Sequence, residues 1–278
     1  MSASTKTLRG MKGKNTMKRM ISLLLAVLMI AVCFAGCGGG EDEKTIVVGY
    51  TKYPPMNYMD GDKLVGFDTE LAEKVFSELG YKVIFKEIQW ESKYTDLESG
   101  VIDCIWNGFT CNAADDDGVQ RSEKVDFSYK YMENRQVVVV KKNSGISSAA
   151  DLAGKSCGAE KGSAGETFAK TYSDANYKGF GSQMDCLMEL NAGSIQFAVM
   201  DALLVESLVG KGDYSELTVV EALSGDKEYY AVGFEKGSDL TAKVNAQFEA
   251  LAASGYMMEL AEKYNVDATV VVDFADQK

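Results

Sequence analysis

Apolar and polar positions follow two rhythms along this chain. Thr45-Ile-Val-Val-Gly49 is a short apolar run closed by glycine, as in a buried strand. Leu71, Val75 and Leu79 then recur at four-residue spacing with Ala72 and Phe76 beside them, which is the stripe of an amphipathic helix. Asp68 stands where a helix cap belongs, and Gly80 where the helix would stop. Tyr81, Val83 and Phe85 alternate with polar residues, the period of a half-buried strand. A helix over about 91–99 ends at Gly100, and a strand follows over 101–106. Strands alternating with helices predict a parallel sheet covered by helices.

A second half repeats the scheme. Val137-Val-Val-Val-Val140 reads as a buried strand, Asp151-Leu152 as a short helical turn, and 155–159 as a strand. Helices over 164–172 and 184–191 precede a strand over 197–200. The halves share a short repeat, Leu97-Glu-Ser-Gly100-Val-Ile102 against Leu190-Asn-Ala-Gly193-Ser-Ile195, in which a helix ends at glycine before a buried strand. The tail predicts a strand over 230–235 and amphipathic helices over 240–254 and 256–264, with Val244, Phe248 and Leu251 in one stripe. If this tail completes the first half, the chain crosses between two lobes twice, near 131–136 and 227–230. Two crossings make a hinge, and a cleft between α/β lobes is a natural ligand site.

The first 36 residues depart from this pattern. Lys6, Arg9, Lys12, Lys14, Lys18 and Arg19 precede an apolar run over 21–35, and no acidic residue comes before Glu41. A basic start, a short apolar run and small residues at the cut read as a secretory signal over 1–36. Phe34-Ala35-Gly36-Cys37 resembles the bacterial lipobox, which implies cleavage before Cys37 and a diacylglycerol on its sulfur. Residues 37–44, glycine-rich and then acidic, would tether the domain to the outer face of the cell membrane. The alternative is an uncleaved membrane helix, but about 15 apolar residues fall short of the roughly 20 needed to span a bilayer. Met17 opens Met-Lys-Arg-Met and competes with Met1 as the start.

Without the leader the chain holds 23 basic and 41 acidic residues, a net charge of −18 against −12 for the whole. Such a charge argues against nucleic acid as a partner. There is no histidine. Imidazole metal sites, Ser-His and Cys-His catalysis and the usual general base near neutral pH are thereby removed. Cys104, Cys111, Cys157 and Cys186 remain in the exported part. Export permits disulfides, but four cysteines allow three pairings, and buried free thiols fit as well.

Seven motifs occur in order: Tyr53-Pro54-Pro55, Leu64-Val-Gly-Phe-Asp-Thr-Glu-Leu-Ala72, Gly100-Val-Ile-Asp103, Val125-Asp-Phe-Ser128, Lys161-Gly-Ser163, Val199-Met-Asp201 and Ala231-Val-Gly-Phe234. Together they resemble those of the extracellular solute-binding proteins of polar amino-acid ABC transporters. The resemblance spans nearly everything from 45 to 266. It implies a two-lobed Venus-flytrap of the type II periplasmic-binding-protein fold. Its lobes would be built from 45–132 with 229–278, and from 133–228. It also implies a monomer that hands one amino acid to a membrane permease and needs no cofactor or metal.

A free amino acid is a zwitterion, so burying it requires a cation and N–H donors for its carboxylate and an anion for its ammonium. The resemblance assigns the carboxylate to Arg121, whose planar fork donates two parallel bonds, and the ammonium to Asp201. The alternative for Arg121 is a surface arginine pairing with the aspartates at 115–117, and without the resemblance Asp201 reads equally as a helix cap. Tyr53 and Trp90 fall at aromatic positions that sandwich the ligand's side chain. Asn107, Gly108 and Thr110 fall in a loop that holds it, and Ser163 in a turn whose N–H groups can take a carboxylate. Glu160 lies where relatives vary with specificity, and a glutamate there suits a cationic side chain. The expected ligand is therefore a polar amino acid, with a cationic one as the narrower expectation.

Residues 113–120, Ala-Ala-Asp-Asp-Asp-Gly-Val-Gln, form an insertion of about six residues relative to the resemblance. It is a solvated loop, an element of the cleft rim or a weak calcium loop, although it lacks the spacing of an EF-hand. The rival function is an enzyme on the same fold, such as a prephenate- or arogenate-type dehydratase, with Glu160 or Asp201 as the acid. No nucleophile–base pair supports that reading. A sensory input domain would need a membrane helix after the domain.

Overall fold

The computed structural model describes residues 44–278. The signal segment, Cys37 and most of the tether lie outside these residues. The domain is a two-lobed α/β structure built on two sheets. In the first sheet the strands run β4 (Lys82–Glu87), β1 (Thr45–Tyr50), β5 (Cys104–Ile105), β13 (Gly233–Phe234) and β6 (Asp126–Phe127). In the second, β11 (Leu217–Val219), β7 (Met132–Lys141), β10 (Phe197–Asp201), β8 (Ser156–Glu160) and β9 (Asn176–Phe180) lie side by side. A small hairpin of β2 (Tyr58–Asp60) and β3 (Lys63–Val65) stands apart.

The sheets are mixed rather than purely parallel. β4, β1 and β5 are parallel, as are β9, β8 and β10. β13 runs antiparallel to β5 and β6, and β7 antiparallel to β10 and β11. The reversal follows from connectivity: β7 and β13 are the strands that enter a sheet from the other lobe rather than over a covering helix. The two crossings meet. β12 (Lys227–Tyr230) pairs antiparallel with the start of β7, from Lys227 opposite Arg135 to Tyr230 opposite Met132, so the connections form one two-stranded ribbon.

Two corrections concern the site. Helix α1 (Phe67–Glu78) is entered through Gly66 and ends before Gly80 at φ +79, but Asp68 does not cap it. Asp68 is buried in the first turn, and its Oδ2 accepts from Gly108 N–H at 3.0 Å. The predicted strand over 101–106 shrinks to two residues. Val101 and Ile102 turn back onto the Asp96 carbonyl at the end of helix α2 (Lys93–Glu98). The short repeat is structural. Gly100 and Gly193 both have positive φ, Ile102 and Ile195 are both buried, and a sheet strand follows each.

Short helix α3 (Arg121–Lys124) precedes β6, and α4 (Ala164–Lys170), α5 (Gln183–Ala192) and α6 (Ala202–Leu208) accompany the second sheet. The tail supplies α7 (Leu240–Ala253) and α8 (Tyr256–Tyr264), which pack on α1. Val244, Phe248 and Leu251 enter the core beside Phe67, Trp106 and Tyr131. The predicted strand over 230–235 is divided. Tyr230 belongs to the ribbon, and only Gly233–Phe234 joins the sheet, where a side chain at 233 would lie 2.8 Å from the Phe109 ring. Cys104, Cys157 and Cys186 are buried free thiols, and Cys111 is a half-buried one. No helix among the described residues is long and apolar enough to cross a membrane.

Candidate functional site

The carboxyl ends of the parallel strands in both sheets face one another, and the loops that leave them enclose a narrow cavity. The cavity is tight, and all nine predicted site residues line it together with Ala164 and Gln183. A wider hollow of about 860 Å³ lies among Pro55, Tyr58, Leu203, Lys211 and Lys263, but its lysines are exposed. The narrow cavity instead collects buried ionisable side chains, the usual mark of a functional site.

The first lobe contributes a cationic, aromatic wall. Arg121 is 1% exposed. Its Nε donates to Asp115 at 2.8 Å, one terminal nitrogen to the Thr110 carbonyl at 3.1 Å and the other to the Gly162 carbonyl at 3.3 Å. A guanidinium has five N–H groups, so two remain for another acceptor. Arg121 thus pairs with the insertion and also lines the cavity. The Phe109 ring lies 5.3 Å from its central carbon, and Trp90 meets Phe109 edge to face at 5.4 Å. Tyr53 is buried, with its hydroxyl 2.6 Å from that of Tyr230.

The loop after β5 is fixed by its own polar groups. Asn107 Nδ2 donates to the Thr51 carbonyl and to Asn57, and Asn107 Oδ1 accepts from Thr51 Oγ1 at 2.6 Å. That side chain is scaffold, leaving backbone to face the cavity. Gly108 has φ +57, and a Cβ there would lie 2.5 Å from the Tyr53 ring, so only glycine fits. Thr110 Oγ1 donates to Glu228 at 3.3 Å.

The second lobe contributes acids. Glu160 ends β8 and Asp201 ends its neighbour β10. Asp201 Oδ1 accepts from Asn134 and Gln136, each at 2.6 Å, and its Oδ2 from Gln183. Its carboxyl does not cap α6. Burial raises its pKa, against the pull of Gln183, Gln136 and Asn134. Glu160 is pushed up to about 8, first by burial and then by Asp201, and its Oε1 is buried without a hydrogen-bond partner. Ser163 caps α4, accepting from Glu166 N–H at 3.0 Å while donating to the Glu160 carbonyl at 2.7 Å. The N–H groups expected to take a carboxylate are already engaged, Gly162 with Glu166 at 2.6 Å and Ser163 with the Glu160 carbonyl at 3.3 Å.

Three participants were not anticipated from sequence. Glu228, on β12, accepts from Gln136 and Asn134, the same amides that hold Asp201; burial and then Asp201 push it up to about 7. Gln183 bonds Asp201 through both its side-chain amide and the Asp201 backbone N–H. Lys93 is buried beneath the rings of Trp90, Tyr94 and Phe109, and its Nζ donates to the Gly162 carbonyl at 2.8 Å. Burial and then Arg121 hold it down to about 7. One signal was present for the amides: Asn134 and Gln136 sit two apart, polar and on one face, in a strand that is otherwise apolar beyond them.

The sequence and the fold both have known relatives. The chain is 28% identical over 258 residues to the arginine-binding extracellular protein ArtP of Bacillus subtilis (strain 168), covering 89% of this chain and 98% of that one. It is 30% identical over 274 residues to the L-cystine-binding protein TcyA of the same organism, covering 89% and 97%. Its fold matches the crystal structure of the arginine-, lysine-, histidine-binding protein ArtJ from Geobacillus stearothermophilus with a TM-score of 0.72 and 30% identity, over 80% of this chain and 95% of that one. Residues 46–267 match the sequence model of the bacterial extracellular solute-binding proteins, family 3, and the chain belongs to that family.

Proposed function

We propose that this protein captures one free amino acid with a cationic side chain in the cleft between its lobes and delivers it to an ABC transporter permease. The observation that carries this reading is the division of charge across one buried cavity, with Arg121 on one wall and Asp201 and Glu160 on the other. Arg121 takes the carboxylate and Asp201 the ammonium. Tyr53 and Trp90 flank the side chain, whose positive end reaches the unpartnered Glu160 oxygen. The ligands for which ArtP and ArtJ are named favour the same choice, whereas TcyA is named for L-cystine. Asp201 and Glu160 are ligand groups here rather than the acid and base of a dehydratase. The family to which the chain belongs is one of solute-binding proteins.

The lobes close about the β7–β12 ribbon, with 45–132 and 229–278 moving against 133–228. Each ligand end is held by a different lobe, so the closed form binds better and its population rises. Export and a lipid on Cys37 would hold the protein, as a monomer, at the outer membrane face beside its permease. A thermal-shift panel of the common amino acids and cystine tests the reading. Arginine, lysine or histidine should raise the midpoint most, because a ligand bound only to the folded state stabilises by mass action. A panel in which only acidic or apolar amino acids act would refute cationic selection.

Binding should also release protons. Burial and then Asp201 push Glu160 up to about 8. A bound cation demands its carboxylate form, so its pKa falls on binding. Affinity for arginine should therefore rise as pH increases from about 6 to 8 and level off above, by up to about tenfold per unit for one proton released. The buried carboxyls should impose the opposite trend on the stability of the ligand-free protein over this range. Carboxyls whose folded pKa lies above the unfolded value stabilise at low pH, and that stability is lost as pH rises through the folded value. Titrations across buffers of different ionisation enthalpy check the released proton; an affinity flat between pH 6 and 8 would separate Glu160 from the ligand.

A further inference from the structure

The insertion at residues 113–120 is a tight turn. Asp115 N–H donates to the Val119 carbonyl at 3.0 Å, Gly118 N–H returns to the Asp115 carbonyl at 2.8 Å, and Gly118 has φ +77. Its three aspartates have different partners. Asp115 holds Arg121 Nε at 2.8 Å and Lys124 at 2.9 Å, and Asp117 holds Lys124 at 2.8 Å. None of the three is left as a free calcium ligand. Asp116 points away from the turn and crosses to the other lobe, where its Oδ1 accepts from Thr167 Oγ1 at 3.1 Å and its Oδ2 pairs with Lys170, both on α4.

These contacts close a circuit. Lys170 also pairs with Glu166 at 2.9 Å, and Glu166 holds Gly162 N–H at 2.6 Å. The Gly162 carbonyl accepts from Arg121 and Lys93 of the first lobe. The turn thus touches the expected carboxylate receptor through Asp115 and the opposite lobe through Asp116. Asp116 and Lys170 cannot meet unless the lobes are together.

We propose that residues 113–120 are a clasp: Asp115 aims Arg121, and Asp116 ties the closed lobes through Lys170 and Thr167, so that the clasp sets the rate of ligand release. This rests on the cleft being the amino-acid site. The ion pair is exposed on both sides, about 40% for each side chain, so its contribution is screened by salt. The tie forms only after the lobes meet, so its loss acts on release rather than on encounter.

Stopped-flow fluorescence with L-arginine, read through Trp90 in the cleft, tests this in the wild-type protein and in Asp116→Ala, Lys170→Ala and the double variant. Asp116→Ala should release L-arginine about three- to tenfold faster, with association changed less than about twofold. The double variant should release no faster than either single one, since both remove the same tie. Wild-type release should quicken between low and moderate salt, and that of Asp116→Ala should not. An unchanged release rate in Asp116→Ala, or singles whose effects multiply in the double variant, overturns the clasp while leaving the cleft assignment intact. If L-arginine, L-lysine and L-histidine all fail to bind the wild type, the cleft assignment fails instead. The clasp is then judged by small-angle scattering of the ligand-free protein, in which Asp116→Lys must enlarge the radius of gyration; an equal radius overturns it.

Discussion

Replacing Arg121 with alanine will weaken amino-acid binding by about a hundredfold or more. Its guanidinium is buried and held from three sides by Asp115, the Thr110 carbonyl and the Gly162 carbonyl. Its orientation therefore exists before any ligand arrives, and little ordering entropy is spent on binding. Without it, a ligand carboxylate enters a buried cavity with no cation to meet it. Breaking a buried charge pair by removing one partner costs about 3–5 kcal/mol, and 1.4 kcal/mol is tenfold in affinity. Asp201→Ala should show a loss of the same order for the ammonium. It also strands the amides of Asn134, Gln136 and Gln183, which now converge on one carboxylate. Isothermal titration checks both variants. A dissociation constant within about threefold of wild type for Arg121→Ala would mean that the guanidinium serves the insertion and Gly162 only.

Gly108→Ala should both destabilise the fold and open the cavity wall. The residue has φ +57, and its Cβ would stand 2.5 Å from Tyr53 Cε1 and 3.2 Å from the Tyr230 ring. An L-residue in the left-handed region costs roughly 1–2 kcal/mol. Overpacking a tight site costs typically about 1–3 kcal/mol more. The flexible response is to move Tyr53, which breaks its hydroxyl pair with Tyr230 and displaces a wall of the cavity. Gly61→Ala is the control: φ is +60, but nothing lies within 4 Å of the new Cβ. It should show the conformational cost alone and leave binding intact. Denaturant unfolding and titration of both variants separate the terms; equal losses in the two would mean that the Tyr53 contact contributes nothing.

What could be read from the sequence divides along physical lines. Features set by local periodicity were legible. Helix α1 shows in Leu71, Val75 and Phe76, the tail helices in Val244, Phe248 and Leu251, and the helix-to-strand turns in Gly100 and Gly193. Strands made by pairing across the chain were not. Asn176–Phe180 joins the second sheet with lysine and glycine in its run, and Lys227–Tyr230 is a strand because it meets Met132–Arg135 from the other crossing. Cap readings failed where tertiary demand won. Asp68 left the helix start to hold Gly108 N–H, and Asp201 left its cap position for three amides.

The candidate site residues came from motifs, and the structure brings all nine to one cavity. Their supports were invisible, because a support is defined by what it touches. Lys93 reads as an ordinary helical lysine until three rings and the Gly162 carbonyl surround it, and Glu228 as a surface glutamate until it shares the amides of Asp201. The insertion was open to three readings, and the contacts of Asp116 with Thr167 and Lys170 select the cleft rim.

The central claim, capture of a cationic amino acid between the lobes, is tested most directly by isothermal titration of the purified protein with L-arginine, L-lysine, L-histidine and L-glutamate near pH 7.5. We expect one site per chain, with L-arginine or L-lysine, the two that are cationic at this pH, binding with a dissociation constant in the micromolar range or below, about −8 kcal/mol or stronger, and with L-glutamate at least about a hundredfold weaker. Tight binding of L-glutamate with none of the cationic ligands would contradict the charge reading of Glu160 and Asp201, and no heat from any of the four would contradict the account itself.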